Sequence, residues 1–296
     1  MELVLNKTVT FMCIRDYFIL LKPCVMSLVV FTGAVAMFLA PGHISSLKFL
    51  LVLLSIALGG GAAGALNMWL ERDTDAFMER TRNRPLPAGR ISSSSAKEFA
   101  LACAALSLVM MAIASNVLAT ILLLGAILFY VFVYTLWLKP RTPMNIVIGG
   151  AAGAFPPVIG WAAVTGSVSF APVILFLIIF LWTPPHFWSL ALVRSDDYQR
   201  AGIPMLPVVA GHKATRIQML VYTVLLLPVS MLPYYTGMAR IFYMAGTVML
   251  GLGFIFHAIR LWRSEHLRYA MPMFGYSLFY LFGIFALLVL DRMFGG

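Results

Sequence analysis

Nine times along this chain a stretch of about 20 apolar residues ends in a short charged or Pro/Gly-rich break, and about 20 residues is the length at which a helix crosses the hydrocarbon core of a bilayer. Inside lipid every backbone N–H and C=O must find its partner within the spanning structure, so such runs are helices. They lie near residues 18–40, 47–66, 98–115, 117–138, 145–165, 170–192, 217–236, 240–260 and 271–290. With 61% apolar residues and a mean hydropathy of +0.93, the chain lies well beyond soluble globular composition. The expected fold class is an all-α integral membrane protein with nine transmembrane helices. No small-residue cleavage site follows the first run, which reads as a retained helix rather than a signal peptide. No stretch is left over for an extramembrane domain. Cys13, Cys24 and Cys103 lie in or beside apolar segments without C-x-x-C spacing, which suits packing residues rather than a disulfide framework or metal site.

Basic residues give the orientation, because cytoplasmic loops concentrate Lys and Arg. With the N-terminus cytoplasmic, 18 of the 21 basic residues fall on the cytoplasmic side, and only Lys48, Arg240 and Arg292 fall outside. Nine spans with the N-terminus in and the C-terminus out satisfy the rule. The net charge of +10 then follows largely from topology, with no need of a nucleic-acid partner. Any single loop arginine has this plain reading as an anchor.

The acids are not explained this way. Of eleven, Glu71, Asp73, Asp75 and Glu79 fall within nine residues at the end of the second helix, in NMWLERDTDAFMERTRNRPLP, residues 67–87. Asn67, Glu71 and Asp75 are spaced i, i+4, i+8 and share one helical face, which leaves Asp73 off it. Like charges stacked on one face repel unless a cation sits among them. Hard oxygen donors of this kind suit Mg²⁺, which one or two carboxylates hold while water and substrate phosphates complete its shell. Arg72, Arg80, Arg82 and Arg84 are close by, and arginine grips phosphate oxygens. The competing reading is a solvated loop tied by surface ion pairs.

A second polar cluster, VRSDDYQRAGIPMLPVVAGHKATR at residues 193–216, follows the sixth helix on the same membrane face. Helices 1–4 and 5–8 are thus expected as two structural halves, with helix 9 completing one transmembrane domain over residues 1–296. The string GGAAGA occurs at 60–65 and 149–154, on helices of opposite direction. It reads as small-residue helix packing, not as a sequence repeat.

These motifs together carry a resemblance. Asn67-x-x-x-Glu71-x-x-x-Asp75 followed by MERTRNRPLPAGR resembles the first signature of the UbiA-type intramembrane prenyltransferases, NxxxDxxxD ahead of RTxNRP. LLKPCVMSLVVFTG, GGAAGAFPPVIGWAAVTG and LWTPPHFWSLAL with DDYQRAGIPMLPVV are similar to the heme-farnesylating branch of that family, and the similarity covers nearly the whole chain. Two departures stand out. Glu71 replaces the usual Asp and keeps the carboxylate. The second signature, often DxxxD, here reads Arg194-Ser195-Asp196-Asp197-Tyr198, so either Asp196 or Asp197 could supply the carboxylate.

The resemblance implies a Mg²⁺-dependent prenyltransferase of the bacterial cytoplasmic (inner) membrane, with its helices around a central cavity and its active-site loops on the cytoplasmic side. Its substrates would be farnesyl diphosphate and heme B, the farnesyl group passing to a heme vinyl group. A downstream heme-modifying enzyme or a terminal oxidase assembly would be the candidate protein partner. Asn67, Glu71, Asp75 and Asp196 or Asp197 are the implied metal ligands. Arg82 and Arg84, with Lys22 or Lys213, are the expected extra cations, and Tyr198 lies in the second signature. Trp69, Phe77, Tyr130, Tyr134, Trp161, Trp182, Phe187 and Trp188 are available to line an apolar cavity and shield an allylic cation.

Of five histidines, His186 stands out, after Thr183-Pro184-Pro185 inside the sixth helix. Polar residues at that depth are functional candidates. It reads either as a heme contact or as the partner of carbonyls freed by the two prolines. Two rival functions remain open: a prenyltransferase with another aromatic acceptor, and a transporter, which would place its charges near the bilayer midplane rather than at helix ends.

Overall fold

The computed structural model describes residues 14–264 and 266–294, so Cys13 and the anchor Lys7 lie outside the described residues. Among these residues the chain is all helical. It comprises α1 (Ile14–Leu20), α2 (Pro23–Leu39), α3 (Ser46–Leu70), α4 (Arg72–Asp75), α5 (Ser93–Ala114), α6 (Val117–Leu128, continuing as a π-helix over Phe129–Leu138), α7 (Asn145–Thr165), α8 (Phe170–Val193), α9 (Ser195–Arg200), α10 (Leu206–Val209), α11 (Gly211–Tyr235), α12 (Ile241–Arg263) and α13 (Ala270–Phe294). Eight of the helices are long and apolar enough to cross a membrane, and a ninth span results if the bent pair α1 and α2 counts as one.

Helix starts follow side-chain chemistry. Ser92 accepts the Ser95 N–H at 3.1 Å and Asn116 accepts the Ala119 N–H at 3.0 Å, satisfying donors that a helix start leaves unpaired. The short break at Ser115-Asn116 is held further by the Asn116 amide, which donates to the Ala162 carbonyl of α7 at 2.8 Å.

The structure revises several boundaries. The first span bends by 52° between α1 and α2, because Lys22, at φ 52°, takes the left-handed conformation just before Pro23. Helix α5 starts at Ser93 rather than near 98, and α11 starts at Gly211 rather than near 217, which puts Lys213, expected in the polar stretch before the helix, on the helix itself. Helix α8 runs unbroken through Pro184 and Pro185; the prolines cost local hydrogen bonds but do not end it. His186 does not partner the freed carbonyls, since its bond goes to Ser277 on α13.

Each long helix packs on the next along the chain, and α13 returns to α2, while α2 against α7 and α13 against α8 fill the middle. Apolar side chains such as Ile113, Val117, Met249 and Phe282 are exposed, as a lipid-facing surface requires. Lipid is as apolar as leucine, so close packing rather than hydrophobic burial must hold such helices together. Both GGAAGA strings serve that end: a Cβ on Gly149 would strike the Tyr134 ring, and one on Gly64 would lie 3.2 Å from the Lys22 side chain.

Candidate active site

The first polar cluster is built at the end of α3. The helix ends at Leu70 and α4 begins at Arg72, with Glu71 between them at φ −95°, ψ 6°. The i→i+4 bonds nevertheless carry across the join, Glu71 N–H to Asn67 O at 3.0 Å and Asp75 N–H to Glu71 O at 2.7 Å. The shared face therefore survives the break. Asn67 and Asp75 are buried, the Glu71 side chain is 11% exposed and Asp73 is 83% exposed.

Each inward group is met by a cation. The Lys22 ammonium donates to the Asn67 amide oxygen at 2.8 Å, Lys139 to Glu71 at 2.6 Å and Arg84 to Asp75 at 2.6 Å. The Asn67 amide in turn donates to the Thr135 hydroxyl at 3.2 Å. The π-helix before Lys139 matters here: with i→i+5 bonds such as Lys139 N–H to Tyr134 O, it alters which side chains face α3 at the end of the span, a device common at functional sites. Burial alone would lower the Lys139 pKa, but the Glu71 carboxylate outweighs it and raises it. Lys139 is the residue that sequence reasoning missed, counted there only as a topological charge.

The second cluster closes on the first. Asp197 is buried at the start of α9 and accepts the Glu79 N–H at 3.4 Å and the Arg200 guanidinium, while Arg194 lies 4.0 Å from Glu79. Burial pushes the Asp197 carboxyl up, yet Arg200 and the Glu79 N–H outweigh it and hold its pKa below the ordinary value. Tyr198 is buried beside it in sequence; Asp196 is exposed.

Two carboxylate oxygens here, Asp75 Oδ1 and Asp197 Oδ2, are buried without a hydrogen-bond partner. An unpaired buried anionic oxygen is costly, and a divalent cation is the partner that suits it. No three His, Cys, Asp or Glu side chains converge as a ready-made metal cluster among the described residues. A Mg²⁺ ion here would therefore be held through one or two carboxylates, with substrate phosphates completing its shell. The donor set is compatible with the ion.

Beneath this rim lies a cavity of about 410 Å³, within the range of small-molecule sites. Lys22, Tyr130 and Tyr134 border it on the side of the charges, and Trp182, His186, Phe187 and Phe274 line it elsewhere. Six helices contribute: α2, α3, α6, α7, α8 and α13. Of the aromatic candidates, Tyr130, Tyr134, Trp182 and Phe187 line the cavity. Trp161 and Trp188 are buried in packing, Trp69 lies under Lys97 and Arg72, and Phe77 is 67% exposed. Arg82 and Lys213 are also exposed, so the structure brings together Lys22, Asn67, Glu71, Asp75 and Arg84, sets Asp197 against the same loop through the Glu79 N–H, and leaves Arg82, Asp196 and Lys213 at the surface. Arg90, one of the loop arginines, pairs with the buried Asp16 at 3.0 Å and ties α1 to the loop.

A bundle of membrane-length helices with carboxylates and cations at one end of an aromatic cavity defines the class of intramembrane enzymes that handle a lipophilic substrate with an anionic head. The chain belongs to the UbiA prenyltransferase family, whose model matches residues 29–285. It is 54% identical over 285 residues to the protoheme IX farnesyltransferase of Parvibaculum lavamentivorans, covering 95% of this chain and 90% of the relative. The protein of the same name from Acidiphilium cryptum is 52% identical over 287 residues, covering 94% and 90%. The fold matches a structure described as digeranylgeranylglyceryl phosphate synthase, with a TM-score of 0.78 at 21% identity over 95% of this chain and 98% of that one. It also matches a UbiA homolog from Archaeoglobus fulgidus bound to DMAPP and Mg²⁺, with a TM-score of 0.67 at 20% identity over 93% and 99%.

Proposed function

We propose that the chain transfers the farnesyl group of farnesyl diphosphate to a vinyl group of heme B, releasing diphosphate and giving heme O. The observation that carries the reading is an aromatic cavity bordered by Lys22, whose ammonium reaches Asn67 in a rim of partly buried cations and carboxylates, two of whose oxygens are orphaned. Relatives named protoheme IX farnesyltransferase, at more than half identity, supply the acceptor. One transmembrane domain of two four-helix halves plus α13, with the rim toward the cytoplasm of the bacterial inner membrane, belongs to the same reading.

Asp75 and Asp197, each with one buried oxygen unpartnered, would hold Mg²⁺, with Asn67 and Glu71 on the inward face of the first signature and Asp196 and Tyr198 in the second beside them. When bound, the ion supplies positive charge against the diphosphate and so makes it a better leaving group. Lys22, Arg84 and Lys139 place three further positive charges where the leaving group's charge develops, and Arg82 and Lys213 are outer cations that guide the diphosphate in. The allylic C–O bond breaks and its electron pair leaves with diphosphate. The heme vinyl π pair then forms the new C–C bond to farnesyl. Water captures the resulting cation next to the macrocycle and loses a proton, leaving a hydroxyethylfarnesyl side chain. Tyr130, Tyr134, Trp182 and Phe187 keep bulk water from the first cation and offer it ring faces.

The test is diphosphate release from farnesyl diphosphate by the purified protein, with and without heme B. Release that depends on heme B, with a farnesylated heme recovered, is the expected result. Release that needs a different aromatic acceptor would replace the acceptor, and no release under any condition would favour a transporter.

A further inference from the structure

The cavity holds one polar ring that the chemistry above leaves without work. His186, on α8, is 9% exposed and lines the cavity. It lies between two parallel rings, Trp182 at 4.2 Å and 17° and Phe274 at 4.5 Å and 22°. Its Nδ1 lies 2.7 Å from the Ser277 hydroxyl. That hydroxyl has a single proton, and it is directed to the Phe274 carbonyl at 2.6 Å. Ser277 must therefore accept from the histidine, which places the imidazole proton on Nδ1. A neutral imidazole has one N–H and one lone pair, so the lone pair is at Nε2. The Trp182 indole N–H donates to the Ser277 carbonyl at 2.7 Å, so the same α13 residue fixes both the imidazole and one ring stacked on it.

An imidazole with one nitrogen engaged by a hydrogen-bond acceptor and the other carrying a lone pair is the arrangement metal-ligating histidines share, and the two stacked rings fix its plane. Among the described residues no cluster of carboxylates, cysteines or further histidines stands ready to complete a protein-only metal site with it. One free imidazole in an apolar cavity suits a metal that brings its own equatorial ligands, as a metalloporphyrin does. Taken with the reading of heme B as the acceptor, on which it rests, we infer that His186 Nε2 is the axial ligand of the substrate heme iron and that Ser277 positions it. A bond from protein to iron sets the depth and tilt of the macrocycle. It thereby sets where the reacting vinyl group meets the allylic carbon, which is the protein's task when a cofactor-like ring carries the chemistry.

The test uses the full chain purified in detergent and titrated with heme B, read by resonance Raman and absorption spectroscopy of the ferrous complex. The wild type should show an iron–imidazole stretch. His186→Gly should lose it, and added free imidazole should restore both the band and heme farnesylation, which also shows that the variant is folded. Ser277→Ala should keep the band but shift its frequency, and should weaken heme binding by about fivefold, the scale of one hydrogen bond. A merely structural Ser277 would not move the frequency. If His186→Gly kept an unchanged iron–imidazole band while still farnesylating heme, the ligand assignment would be overturned and the acceptor would stand. Failure of the wild type to take up heme at all would bring down both.

Discussion

The two polar loops answer the same need by different means. At the first, every inward group is met by a cation from elsewhere in the chain: Asn67 accepts from Lys22, while Glu71 is paired with Lys139 and Asp75 with Arg84, nine residues on. At the second, Asp197 is met by Arg200 one helical turn away on its own α9. Both leave one buried carboxylate oxygen without a partner, Asp75 Oδ1 and Asp197 Oδ2. The first loop is thus part of the architecture that joins α2, α3 and α6, whereas the second is a local unit laid against it through the Glu79 N–H. Damage to the first should disturb both fold and chemistry, and damage to the second should stay local.

The largest effect expected is at Asp75. Asp75→Asn keeps the volume and removes the charge, and turnover should fall by about 10³-fold while the protein still unfolds cooperatively. Diphosphate release and a thermal melt on the same preparation measure the two. Greater harm from Asp73→Asn, at a side chain 83% exposed, would break the assignment of the inward face.

Lys139 sharpens the contrast through stability. Removing one partner of a buried pair costs about 3–5 kcal/mol because the other charge is stranded, so Lys139→Met should lower the melting temperature strongly. Adding Glu71→Gln should recover most of that loss without restoring turnover. Equal melts for single and double variants would mean the 2.6 Å pair contributes nothing to holding α6 against α3. At the second loop, Asp197→Asn should reduce turnover by about 10²-fold, leaving stability within about 1 kcal/mol since Arg200 is 60% exposed. Asp196→Asn, at an exposed side chain, should stay within about twofold of wild type. The reverse order would assign the metal ligand to Asp196.

The same contrast marks what the sequence could tell. Apolar run length revealed the spans, because lipid leaves the backbone no alternative to a helix, and i, i+4, i+8 spacing revealed the inward face at Asn67, Glu71 and Asp75. Those are local regularities. The cations were harder. Lys139 meets Glu71 68 residues away, at the end of a π-helix with no plain sequence signature. Ser277 meets His186 across 91 residues. Arg82 and Arg84 looked equivalent in RTRNRP, yet the turn fixed by the Thr81 hydroxyl on the Asp75 carbonyl at 2.8 Å accompanies one exposed side chain and one turned inward. Short-range spacing is written in the chain; which distant charge answers it depends on how the helices pack.

The arginines of that turn give the finest test. Arg84, with 20% of its side chain exposed and bound to Asp75, stands at the rim where a diphosphate would sit. Arg84→Gln should weaken farnesyl diphosphate use by about 1.5–3 kcal/mol, the scale of a charged hydrogen bond, seen as a raised KM with heme binding unchanged. Arg82 is exposed, and a surface charge acts on encounter more than on affinity, so Arg82→Gln should raise KM severalfold at low salt and almost not at all at high salt. Arg90→Gln should leave KM alone and instead cost about 1 kcal/mol of stability, because it releases Asp16, buried on α1, from its only ion pair among the described residues. The three KM values at two ionic strengths, with the three melts, separate these roles. Equal small shifts at all three positions would return this stretch to a solvated basic loop and leave the diphosphate to Lys22 and Lys139.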